Sequence, residues 1–70
     1  MKYLVVIEES STGFAAFSPD VPGCIATGAT QAEVRKNMQE ALEFHIEGLR
    51  ADGEAPPPST TSSFYAEVAA

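Results

Sequence analysis

Seventy residues allow one domain with a thin core, and an apolar content of 44% is too high for a disordered chain. A single cysteine, Cys24, and a single histidine, His45, exclude an internal disulfide and argue against a Cys/His zinc centre within one chain. Ten acidic against four basic residues, a net charge of −6, argue against a large phosphate-neutralising patch and suit either a basic protein partner or plain solubility.

Residues 2–9 are rich in β-branched side chains and read as a first strand. Tyr3, Val5 and Ile7 alternate with Leu4 and Val6, so both faces are apolar and the strand is expected inside its sheet. The four-residue run Leu4–Ile7 is too short for a leader core or a membrane span, which makes the cytoplasm the expected location. Ser10-Ser11-Thr12-Gly13 is a turn, and residues 14–18 form a second, antiparallel strand. In Pro19-Asp20-Val21-Pro22-Gly23, Pro22 presets φ and Gly23 accepts a positive φ, the chemistry of a type II turn. Residues 24–27 make a short third strand.

Thr30 and Glu33 form a T-x-x-E capping box opening a helix over residues 31–52, with Ala29 and Val34 placed as a staple and Gly53 as the stop. Val34, Met38, Ala41, Leu42, His45 and Leu49 fall in one stripe, opposite Lys36, Glu40, Glu43 and Glu47. Phe44 lies about 120° and Ile46 about 80° off that stripe, so neither fits a simple core-facing position. Residues 55–62, with Pro56-Pro57-Pro58, are a semi-rigid connector. Residues 63–69 alternate Phe64, Ala66 and Val68 against Tyr65 and Glu67 and read as a fourth strand. The expected fold class is α+β, in the order β-β-β-α-β. A right-handed crossover gives the sheet order 3-2-1-4 with one helix on one face. The other face stays bare and apolar, which marks an association surface.

Several stretches together resemble the HicB-like antitoxin family. They are Tyr3-Leu4-Val5-Val6-Ile7-Glu8-Glu9, Gly13-Phe14-Ala15-Ala16-Phe17 and, most specifically, Phe17-Ser18-Pro19-Asp20-Val21-Pro22-Gly23-Cys24. The similarity continues through Gly28, Thr30, Glu33, Val34, Asn37 and Glu40-Ala41-Leu42 to Asp52-Gly53-Glu54 and the prolines. The resemblance implies a partial RNase H-like domain that binds and neutralises HicA, a small basic mRNA-cleaving toxin, in a type II toxin–antitoxin system. Many family members add a C-terminal operator-binding domain. Here the resemblance covers only the N-terminal type of domain, so no direct nucleic-acid binding is expected. A homo-oligomer, dimer or tetramer, is expected as well, with no enzymatic activity, cofactor or metal.

The candidate partner-binding residues are Phe17, Pro19, Asp20, Pro22, Cys24 and Phe44. Phe17, Pro19, Pro22 and Cys24 read as residues that shape the turn in preference to partner contacts, and Phe44 equally as a partner contact or as a ring packed under the proline connector. His45 reads as a packed imidazole in preference to a base or ligand. Cys24 reads as a packing residue in preference to a reactive thiol. Two other functions follow from the same fold class: an orphan oligomerisation or ligand-binding domain, and, less well supported, a metal-dependent nuclease using Glu8, Glu9, Glu33 or Glu40, and Glu67.

Overall fold

A computed structural model describes residues 1–69. Strands β1 (Val6–Ser10), β2 (Gly13–Phe17) and β3 (Ile25–Gly28) precede helix α1 (Gln31–Ala51). The strands form one antiparallel sheet in the order β1-β2-β3. Ser10 pairs with Gly13 across the first hairpin, which leaves Ser11-Thr12 as a two-residue loop. Gly13 has a φ of 148°, open to glycine and unfavourable for other residues.

The second connection follows the turn chemistry of its sequence. The Val21 N–H donates to Ser18 O at 3.2 Å, and the Cys24 N–H donates to Val21 O at 3.2 Å. Pro22 and Gly23 occupy the middle of that second turn, with Gly23 at a φ of 83°, as a type II turn requires. The turn points Val21 inward, fully buried, and buries Cys24 beside it.

Helix α1 is closed at both ends. The Glu33 N–H donates to Thr30 Oγ1 at 3.1 Å, and Glu33 Oε2 accepts from the Ala29 N–H at 3.0 Å. The reciprocal bond thus lands one residue before the cap residue itself. Ala29, the residue expected to staple against Val34, is exposed, while Val34 is fully buried. At the other end, the Gly53 N–H reaches Arg50 O and the Glu54 N–H reaches Leu49 O, with Gly53 at a φ of 77°. This is the Schellman pattern.

The helix lies against β3 and β2, and its approach is governed by Gly28. A Cβ at Gly28 would stand 2.5 Å from the Val34 nitrogen. Only a residue without a side chain lets the first helical turn settle this close to the sheet. The core is Ala16, Val21, Cys24, Val34 and Met38, flanked by Tyr3, Val5, Ile7, Phe14, Ala26, Ala41 and Leu42. It includes one polar side chain, Ser18, whose hydroxyl donates to Leu4 O at 2.8 Å. That bond satisfies a group that would otherwise be costly to bury.

Two expectations require correction. Residues 63–69 form no strand in this sheet; all are exposed, with Phe64 at 87%. Their alternation is genuine, but a strand also needs a neighbour, and the connector carries them away from β1. β1 accordingly begins at Val6 and not at residue 2, and β1 is an edge strand and not a central one. Beyond Phe17, Pro19 also lacks the N–H needed to extend the β1–β2 ladder. The second correction is Ile46, which is buried at 9% exposure. Val34, Met38, Leu42 and Ile46 follow an i, i+4 row that drifts about 40° per step. That drift carries the row onto the flank of the stripe, where Ile46 lies.

Candidate interaction surface

The alternation of β-strands divides the sheet residues between two faces. The register places Ile7, Ala16 and Ala26 in one row on the helix side, with Ala16 buried. The adjacent row, Val6, Phe17 and Ile25, therefore points to the opposite face. Within the described residues no element of this chain covers that face. Ile25 is 70% exposed and Phe17 is 38% exposed. The sequence reading placed an apolar outer face on strands one, two and four; the row seen here is carried by β1, β2 and β3 instead.

This surface continues around the β3 edge. A shallow hollow there is lined by Gly23, Cys24, Ile25, Ala41, Phe44 and His45, with Gly48, Leu49 and Asp52 at the helix end. Phe44 stands at its rim with 68% of its surface exposed. Its helical neighbours at i−4 and i+3 are Glu40 and Glu47, both exposed. The result is a large aromatic ring framed by carboxylates. Such a ring is suited to anchor in an apolar pocket of a partner with positive charge around it.

The six candidate residues separate into distinct roles. Phe17 and Phe44 are exposed on this continuous surface, and Pro22 is exposed in the turn beside it. Pro19 is also exposed. Cys24 is buried, and burial raises its thiol pKa above the ordinary value, so it is a packing residue. Phe44 does not lie under the proline connector. That connector instead crosses the start of the chain, where the Tyr3 hydroxyl donates to Pro57 O at 2.6 Å.

Asp20 plays a part that the sequence did not reveal. One carboxylate oxygen accepts the Thr60 and Thr61 backbone N–H groups, each at 2.9 Å. The other accepts the Thr60 hydroxyl at 3.1 Å and the Thr61 hydroxyl at 2.7 Å. These bonds, the Thr61 backbone bond foremost, lower the carboxyl below its ordinary pKa of 3.8. Asp20 therefore clamps the end of the connector to the β2–β3 turn. Ile25 is the surface residue missed by sequence reasoning. Its position next to the Pro-Gly turn gave no sign of which face it would take. His45 is half-buried in the hollow. Among the described residues no three His, Cys, Asp or Glu side chains come together as a metal would require. Glu33 is engaged at the helix cap. Among the described residues no helix is long and apolar enough to cross a membrane.

Comparison with known proteins decides the family. The pattern described as "HicB_like antitoxin of bacterial toxin-antitoxin system" matches residues 3–69. The chain belongs to the HicB-like antitoxin family, a family of antitoxins and not of enzymes. It is 42% identical over 65 residues to a 14.9 kDa protein from the rep-hol intergenic region of Haemophilus phage HP1, covering 93% of this chain and 49% of the relative. It is 36% identical over 74 residues to Antitoxin HicB 2 of Photorhabdus laumondii, covering all of this chain and 51% of that one. The chain thus spans about half the length of these two curated relatives. Among solved structures, the fold is similar to a chain of the HicA3 and HicB3 toxin–antitoxin complex, at a TM-score of 0.71 and 37% identity over 84% of this chain and 70% of the other. The crystal structure of antitoxin HicB3 gives the same TM-score at 35% identity, covering 86% of this chain and 44% of that one.

Proposed function

We propose that this HicB-like chain binds and neutralises a HicA-type mRNA-cleaving toxin, in a type II toxin–antitoxin system, as a homo-oligomer. The observation that carries the reading is the likeness to HicB3, a relative solved in complex with HicA3. Two features of this chain support it. The net charge of −6 matches a basic partner, and the Val6–Phe17–Ile25 row with Phe44 supplies exposed apolar surface beside carboxylates. Inhibition on this reading is steric and electrostatic, with no covalent step. The turn residues Pro19 and Pro22 flank the contact surface, while Asp20 and Cys24 support it from within. The RNase H-like arrangement belongs to the same proposal, with the fourth strand supplied as argued below.

The test is an RNA-cleavage assay with a HicA-type toxin from the same genome. Cleavage is expected to fall in proportion to added chain and to vanish near stoichiometric addition. Ile25→Asp and Phe44→Ala are expected to restore it. Full cleavage in the presence of a large excess of folded chain would overturn the reading.

A further inference from the structure

The connector is fastened to the body at Tyr3 and Asp20, whereas residues 63–69 beyond it are exposed throughout. The helix sits over β3 and β2, and the helix-side face of β1 is left partly open. A groove of about 780 Å³ runs there, floored by Tyr3, Val5 and Ile7 and walled by Met38, Leu42 and Ile46. It lies along the free edge of β1, since β2 holds the other edge. The two free sheet edges are not equivalent: on β3, the Thr27 carbonyl already accepts from Asn37 Nδ2 at 2.8 Å. β1 is the open edge, and the groove beside it is where a fourth strand belongs.

A segment with the right pattern exists in the same chain and is held out of that groove. Phe64, Ala66 and Val68 alternate with Tyr65 and Glu67, yet Phe64 is 87%, Tyr65 104% and Val68 84% exposed. Its point of departure is fixed by the four hydrogen bonds from Thr60 and Thr61 to Asp20. The long axis of the molecule is 50 Å, whereas a helix of 21 residues accounts for only about 31 Å. The Cα radius of gyration is 13.9 Å, against roughly 11 Å for a compact chain of this length. Eight residues beyond the clamp reach about 26 Å when extended, enough to lie along a strand of a neighbouring molecule.

We infer that two copies of this chain exchange their C-terminal segments, residues 62–69 of each lying along the free edge of the other's β1. Phe64, Ala66 and Val68 then fill the other copy's groove. The alternation has the periodicity for this: one face enters the groove while Tyr65 and Glu67 point outward. Exchange also covers the open backbone of β1, which an isolated edge strand leaves exposed to non-specific pairing. A second copy is the occupant because it carries the complementary strand in the same sequence. One symmetric arrangement fills both grooves and covers both segments. This deepens the homo-oligomer of the preceding section and is independent of toxin binding. The exchange uses the β1 groove and leaves the Val6–Phe17–Ile25 face free.

The test is sedimentation of the full chain together with isotope-filtered NMR on an equal mixture of labelled and unlabelled chains. The chain is expected to sediment as a dimer, with contacts between the Phe64 ring of one copy and the Val5 and Leu42 methyls of the other. Phe64→Asp combined with Val68→Asp is expected to give a monomer with unchanged helical circular dichroism, since neither side chain is buried in the lone chain. A monomeric wild-type chain overturns the inference. So does a dimer that survives the double substitution, or one whose Phe64 contacts arise within a single chain. A dimer held by the outer sheet face would retain self-association while refuting exchange, so the two claims fail separately.

Discussion

Replacing Gly28 by alanine puts a single methyl group at the closest approach of helix and sheet. The new Cβ would lie 2.5 Å from the Val34 nitrogen, 2.9 Å from its Cα and 3.0 Å from the Glu33 carbonyl carbon. All three atoms are backbone, so no side chain can swing aside. Ordinary carbon contacts lie at about 3.5–4.0 Å, so the first turn of the helix must lift by roughly 1 Å. That lift opens a gap above Ala16 at Val34 and Met38, which are 0% and 1% exposed. A gap of this size removes a quarter to a half of each contact's attraction, about the cost seen for overpacked cores, ~2–3 kcal/mol. A core of this size supplies only about 3–5 kcal/mol in total. Thermal unfolding followed by circular dichroism, at fixed protein concentration, should therefore show Tm lowered by roughly 8–16 °C or more. Gly48→Ala is the control, because nothing lies within 4 Å of a Cβ there. In the last turn of α1 it should stabilise by up to about 0.5–1 kcal/mol. A Gly28→Ala chain within about 0.5 kcal/mol of wild type would refute the packing argument.

Other perturbations follow from single groups. Thr30→Ala removes the acceptor of the Glu33 N–H and should cost about 1 kcal/mol in urea unfolding; an unchanged midpoint would contradict the cap. The Asp20 clamp needs the ionised carboxylate, whose pKa is lowered from 3.8 in the folded chain. Its stabilisation is complete above 3.8 and is lost as the pH falls through the lowered folded value. Slowed amide exchange at Thr60 and Thr61 should therefore persist near neutral pH, weaken on acidification below that range, and be absent at every pH in Asp20→Ala. Protection that survives Asp20→Ala would show that other groups hold the connector. The buried Cys24 thiol, with its raised pKa, should react with a thiol reagent at neutral pH only as fast as the chain unfolds. Rapid stoichiometric labelling of folded protein would place it at the surface.

Local chemistry made much of this fold readable, and tertiary geometry hid the rest. The Pro22-Gly23 turn, the Thr30 cap and the Gly53 stop each depend on residues within a few positions of one another, and each lies where the sequence placed it. The fourth strand depended on something more distant. Phe64, Ala66 and Val68 carry the period of a strand, but the period does not say whose sheet receives them. Ile46 escaped because a straight stripe leaves out the i, i+4 row that runs from Val34 through Met38 and Leu42 to it. The candidate surface was legible in part. Phe17 and Phe44 are large apolar residues whose exposure follows from strand alternation and helical phase. Asp20 belonged to the recognisable turn motif, yet its bonds run to threonines forty residues away in sequence. Ile25 required the β2–β3 register, which no local pattern encodes.

The account rests on the outer sheet face and Phe44 being the surface that another polypeptide covers. Mapping chemical-shift changes on the labelled chain as a HicA-type toxin is added tests this most directly. The signals of Phe17, Ile25 and Phe44 should shift and become shielded from a soluble paramagnetic probe, while the Val34 and Met38 core stays unchanged. A bound toxin that leaves those three side chains exposed would contradict the account, as would the absence of any binding.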